Sequence, residues 1–124
     1  MIQGLVHEEG EAVVRLSVEN HDGSWTGLEA AVDTGFNGFL ALPGAMISAL
    51  SLRSLGARQA TLADGRQSPI RVFAAKVLWD GEMIDVLVLE TAEGALVGMA
   101  LLWGYRLTLE ATTRGRVWIE KIGA

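Results

Sequence analysis

The chain has no cysteine. Disulfides and thiolate metal sites are therefore excluded, and a reducing cytoplasm is the expected compartment. It has only two prolines and no low-complexity tract or linker, so nothing marks a boundary and residues 1–124 read as one domain. Positive charge is also scarce: ten Lys and Arg stand against fifteen Asp and Glu, for a formal net charge of −5. The basic residues are scattered, with Arg114 and Arg116 as the one close pair. A nucleic-acid or anionic-membrane surface needs clustered Lys and Arg, so neither partner is expected. Long apolar runs are missing too. The longest, LVGMALLWGY from Leu96 to Tyr105, is about half of the ~20 residues a membrane span requires, and reads as a buried turn with a short helix. The start, MIQGLVHEEGE, lacks the basic and apolar regions of a signal peptide. Histidine is limited to His7 and His21, without ligand spacing; both read as surface residues, and no metal or cofactor is expected.

What is present is apolar sequence in short pieces. Half of the residues are hydrophobic, enough for a core without covalent staples. The runs are β-type and are separated by turn signals: His21-Asp22-Gly23, Ala63-Asp64-Gly65, Trp79-Asp80-Gly81 and, more weakly, Thr113-Arg114-Gly115. Asp-Gly between apolar runs predicts a hairpin, because Gly accepts the positive φ of a tight turn. Alternation supports strands. Val14, Leu16 and Val18 share one face against Arg15, Ser17 and Glu19, and Tyr105, Leu107, Leu109 and Ala111 alternate with Arg106, Thr108, Glu110 and Thr112. Two stretches break the pattern. Pro43 to Gly56 predicts a short helix or a loop with one helical turn, and a second short helix is expected from Met99 to Gly104. Trp25, Trp79, Trp103 and Trp118 are expected in the core or at an interface. The expected fold is all-β, a small closed β-barrel or folded sheet with one or two short helices.

One carboxylate stands apart. In AAVDTGFNGFLALP, Ala30 to Pro43, Asp33 lies between two apolar segments, where an unpaired charge is costly. Asp33-Thr34-Gly35 follows a predicted strand, and Leu96-Val97-Gly98 precedes the second predicted helix. These two signatures, with the Ala63-Asp64-Gly65 hairpin between them, resemble the retropepsin-like aspartic proteases, and most closely the small single-domain bacterial and cyanobacterial members. The resemblance runs from about Leu5 to Ile122. It implies a small closed barrel of the retropepsin type and an endopeptidase active as a homodimer. Such chemistry uses two carboxylates sharing one proton, one as general base on a water and one as general acid to the substrate carbonyl. With one Asp-Thr-Gly per chain, the second Asp33 would come from a two-fold partner.

By that resemblance Asp33, Thr34 and Gly35 are the catalytic turn, with Thr34 bracing it across the dimer and Gly35 giving the tight bend. Phe36 and Asn37 would line the groove, while Asp64, Gly65 and Arg66 would form the tip of a flap over an extended peptide. Leu96, Val97 and Gly98 would pass behind the dyad. The sequence departs from the pattern at Phe36, where Ala or Ser is usual, and in the second helix, where Ala100 and Trp103 replace a polar brace. These departures motivate an alternative, a non-catalytic peptide- or partner-binding module on the same fold. A plainer reading has Asp33 capping its own turn as an Asx-turn, and Asp64 as an ordinary hairpin residue. The terminal strands IQGLVHE and RVWIEKI are able either to interleave with a partner or to pair within one chain.

Overall fold

The computed structural model describes residues 1–123. Ten strands form one sheet: β1 (Ile2–Val6), β2 (Ala12–Glu19), β3 (Trp25–Val32), β4 (Leu40–Pro43), β5 (Arg53–Thr61), β6 (Gln67–Trp79), β7 (Glu82–Thr91), β8 (Leu96–Val97), β9 (Tyr105–Leu109) and β10 (Arg116–Lys121). Two helices interrupt them, α1 (Gly44–Leu50) and α2 (Met99–Leu102). The spatial order is β5-β6-β7-β4-β8-β3-β2-β1-β10-β9. A further pairing, Ser17 with Leu78 and Val18 with Val77, joins β2 to β6. It closes β6, β7, β4, β8, β3 and β2 into a ring of six strands. The molecule is thus all-β, and no helix among the described residues is long and apolar enough to cross a membrane.

The hairpins fall at the turn signals. Asp80 and Gly81 form a two-residue loop between Trp79 and Glu82, both with positive φ (51° and 81°), the mirror-image turn that matches strand twist. At Thr113-Arg114-Gly115 the positive φ (59°) falls on Arg114 rather than on Gly115. Gly115 serves a different need: a Cβ there would strike the Glu110 backbone. The helix expected over Pro43 to Gly56 is shorter, since α1 ends at Leu50 and Arg53 already belongs to β5. Ser51 in the left-handed region turns the chain, and its N–H caps Ser48 O. The short helix after Gly98 is present as α2, with Gly104 at φ +89° beyond it.

The core fills the ring. Val14, Val18, Leu40, Leu42, Val77, Val88, Val97 and Ile119 are fully buried, with Ile47 and Leu50 of α1 against them. The alternation read in β2 holds, with Val14, Leu16 and Val18 inward. In the last long run it holds only for Tyr105 and Leu107, which are half-buried; Leu109 and Ala111 are exposed because β9 is the edge of the sheet. Of the four tryptophans, Trp79 alone is core, its ring edge-on to Tyr105 at 6.2 Å between centroids. Trp25 and Trp103 are exposed and Trp118 is half-buried. His7 and His21 are on the surface.

The termini pair within one chain. β1 lies between β2 and β10, with Ile2 opposite Ile119 and Leu5 opposite Arg116. Gly4 sits against β2 so closely that a Cβ would meet the Val13 backbone and lie 2.9 Å from Val14 Cγ1. Gly4→Ala is therefore expected to push β1 off β2 and lower stability by about 1–3 kcal/mol. Urea unfolding checks this; an unchanged midpoint would show that β1 is not anchored there.

Candidate functional site

β3 and β4 are linked by residues 33–39, yet they do not pair with each other. β8 is threaded between them, parallel to β3 (Val32 beside Val97) and antiparallel to β4 (Leu40 beside Val97). This one short strand brings together the two signatures, which are far apart in sequence. Its flanking bonds extend the contact: Ala31 N donates to Ala95 O and Asp33 N to Val97 O, both at 2.9 Å. Leu96 and Val97 are the half-buried and buried residues of that strand, and Gly98 is buried immediately after it.

The turn itself stands at the surface. Asp33 is half-buried, while Thr34, Gly35 and Asn37 are exposed. Asp33 Oδ1 accepts the Gly35 N–H at 2.9 Å, and Asp33 O accepts the Phe36 N–H at 3.1 Å. The first is the Asx-turn bond, which fixes the carboxylate's orientation and uses one of its acceptor sites. Among the described residues no side-chain or backbone donor bonds to the other oxygen.

Phe36 has a structural role that the sequence did not disclose. Its ring lies over two glycines: a Cβ at Gly38 would come within 2.6 Å of Cζ, and one at Gly98 within 2.5 Å of Cδ2. The side chain is thus turned toward the second signature. The backbone of the same turn caps α2, as Met99 N donates to Phe36 O (2.7 Å) and Ala100 N to Gly38 O (3.1 Å). Gly98 N donates to Phe39 O at 3.0 Å. Helix N–H groups that would otherwise lack partners are satisfied by these carbonyls. α2 is therefore braced through main-chain bonds, with no need of a polar side chain at Ala100 or Trp103. The Phe in the turn was the available clue, since a bulky ring beside two glycines asks for a flat backbone surface to cover.

The β5–β6 hairpin is an arm. β6 pairs with β7 only from Val72 onward, whereas Gln67 to Arg71 pair solely with Thr61 to Ala57 of β5. At its base the register shifts between Ser54 and Gly56, with Gly56 at φ +100°. The ion pair of Arg71 with Glu90 ties that base to β7. At the tip, Asp64 accepts from Arg66 N (3.0 Å) and Arg66 Nε (2.6 Å), and Leu62 N donates to Arg66 O. Asp64, Gly65 and Arg66 thus form a self-contained turn, and their polar contacts do not reach the Asp33 turn. An isolated two-stranded arm is marginal in water, so this segment is the most easily moved part of the sheet.

No family model matches the chain, and no curated protein matches it either.

The Arg66 backbone N–H, then its guanidinium, hold the Asp64 carboxyl below its ordinary value of 3.8. A carboxyl depressed in the folded tip contributes order above its unfolded value and loses it as pH falls through the lower folded one. Below about pH 3.8 the tip is therefore expected to loosen, and Asp64→Asn to loosen it at neutral pH. Backbone amide relaxation at residues 62–66 reads this; identical tip mobility in both proteins at pH 7 would contradict it.

Proposed function

We propose that the chain is an aspartic endopeptidase of the retropepsin type, working as a homodimer. The observation that carries this reading is the placement of Asp33 at the end of β3, in an accessible turn backed by β8 and its Gly98. The ring of six strands is read as the small closed barrel of that type. Asp33 of each copy supplies one carboxylate, and the two share a proton because like charges about 3 Å apart do not both ionise easily. The ionised one takes a proton from the attacking water while the protonated one donates to the scissile carbonyl. Gly35 N–H orients each carboxylate from within its own chain. Thr34 is exposed beside it, and in this reading it bonds across the two-fold. Peptide lies extended across the turns, and the β5–β6 arm with Asp64, Gly65 and Arg66 closes over it and excludes water.

The decisive experiment follows cleavage of a peptide library as the protein is diluted through its dissociation range. A monomer holds one carboxylate, so specific activity should fall with the dimer fraction and be blocked by pepstatin. Cleavage that ignores dilution, or no cleavage by protein shown to be dimeric, overturns the proposal. The exposed outer edge of β5 favours one second reading, a module that captures a strand without cutting it. Saturable peptide binding with no turnover selects that reading.

A further inference from the structure

Val14, Leu16, Val117 and Ile119 point into the core, which turns their chain neighbours in β1, β2, β3 and β10 to the opposite face of the sheet. Register sets these neighbours in two rows. Arg116, Leu5 and Val13 stand side by side in one, from β10 across β1 to β2. In the next, Trp118 stands beside Gln3, and Arg15 beside Glu29. Together they line a cleft of about 470 Å³, to which the turn of residues 33–39 contributes nothing.

The floor of the cleft is apolar. Val13 is only 8% exposed although it points away from the core, and Leu5 beside it is 50% exposed. Arg116 forms a fixed plate at one end. Its guanidinium lies 4.7 Å from the centre of the Trp118 ring, while its Nε holds Glu110 at 3.2 Å. A guanidinium already held in place loses little further freedom when a ring or a peptide plane stacks on it. Toward the other end two charges stand opposite each other and do not meet. Arg15 and Glu29 are register partners, where unlike charges in an antiparallel pair ordinarily attract. Among the described residues, however, neither side chain forms an ion pair. Arg15 reaches diagonally instead, over Gly27, where a Cβ would come 3.2 Å from its Nη2. The cleft therefore offers one free guanidinium and one free carboxylate on adjacent strands.

We infer that this cleft binds a short peptide with both ends free, its carboxylate on Arg15 and its ammonium on Glu29. Charge complementarity names the occupant. A simple anion meets Arg15 but is repelled by Glu29, and a simple cation meets the reverse. A molecule carrying both charges satisfies both. Adjacent strands lie about 4.8 Å apart, little more than the ~3.8 Å between successive Cα atoms, so the pair suits the two ends of a dipeptide rather than those of a long chain. The apolar floor receives its side chains, and an aromatic one stacks on the Arg116 plate. The volume lies in the range of small-ligand sites. This site is separate from Asp33 and does not depend on peptide cleavage by the chain.

The probe is leucyl-phenylalanine, titrated calorimetrically into the full chain at low salt beside its N-acetyl form and its C-terminal amide. The free dipeptide should bind, and each blocked form should bind roughly tenfold more weakly, because each loses one charge-assisted contact. Arg15→Gln should bind the free dipeptide and the amide alike, since the carboxylate has lost its partner. Glu29→Gln should for the same reason bind the free and acetylated forms alike. Both side chains are exposed and unpaired, so both variants should fold, which thermal unfolding checks. The indole N–H resonance of Trp118 should shift as the dipeptide is added. Blocked forms that bind as tightly as the free dipeptide, variants that keep the wild-type discrimination, or no binding at millimolar dipeptide overturns the site. Asp33→Asn should bind the dipeptide as wild type does; a loss there would place the dipeptide at the Asp33 turn and overturn this cleft. A wild type that binds the dipeptide in this way but cleaves no peptide keeps the cleft and discards the peptidase.

Discussion

Asp33→Asn is expected to remove peptide hydrolysis while leaving the fold in place. An amide neither takes a proton from water nor carries one to a carbonyl, so both acid and base roles are lost at once in a symmetric pair. General acid–base groups contribute about 10²–10⁴-fold to rate, and the loss should reach at least that range. Stability should hardly move, because the Asn side-chain oxygen still accepts the Gly35 N–H that Asp33 Oδ1 accepts now. Asp33→Ala differs in the second respect. It removes that acceptor and should cost about 0.5–1.5 kcal/mol in addition to activity. Initial rates and thermal unfolding on the three proteins distinguish a chemical role from a purely structural one. Equal cleavage by wild type and Asp33→Asn would end the case for paired carboxylates, and a fold that only Ala weakens would favour the Asx-turn alone.

Gly98→Ala carries the largest expected cost in stability. Its Cβ would collide with Gly38 O, with Phe36 Cδ2 at 2.5 Å and with Phe36 O at 2.7 Å. Two of those three atoms are backbone, held by the bonds to Met99 and Ala100, so neither yields by a rotamer change. Either β8 leaves its place between β3 and β4, or the 33–39 turn is pushed outward. Overpacking usually costs about 1–3 kcal/mol, and the rigid neighbours here put the value at or above the top of that range. Any folded fraction should also show reduced cleavage, since the displaced turn is the one that holds Asp33. Phe36→Ala gives the ring's contribution separately, because it relieves the Cδ2 clash and not the carbonyl ones. The double variant Phe36→Ala, Gly98→Ala should therefore remain destabilised. Full recovery in the double variant would mean that the ring alone demands the glycine.

Much of this was legible because it is local. Asp80-Gly81 and Asp64-Gly65 carry their turn geometry in the residues themselves, and Val14, Leu16 and Val18 declare their face by alternation. The adjacency of Asp33 and Gly98 was legible only through a resemblance between separated motifs. What was not legible depends on partners distant in sequence. Arg53 to Gly56 reads as helix from composition, but it becomes strand because β6 offers it a ladder. Leu109 and Ala111 alternate correctly and still face water, since no strand lies beyond β9. At Thr113-Arg114-Gly115 the positive φ falls on Arg114, while Gly115 answers to its close approach to Glu110, a contact distant in sequence from the turn signal. Phe36 looked like a departure within a motif; its explanation lies with Gly38 and Gly98, the second of them 62 residues away.

The threading of β8 also bears on how the chain is made. β3 and β4 are complete once residue 43 has been synthesised, but the strand that separates them ends at Val97. At about 5–20 residues per second that gap lasts several seconds on a ribosome. Until then the residues of β3 and β4 lack the partner that pairs with both of them in the folded chain. Direct zipping of β3 to β4 would be the nearest available error, and it would have to be undone before Val97 could enter. In the folded chain the link of seven residues between them, bent by the Asx bond at Asp33, spans the slot that β8 fills. The turn that presents the carboxylate is thus also the bridge across a slot whose occupant is translated more than fifty residues later.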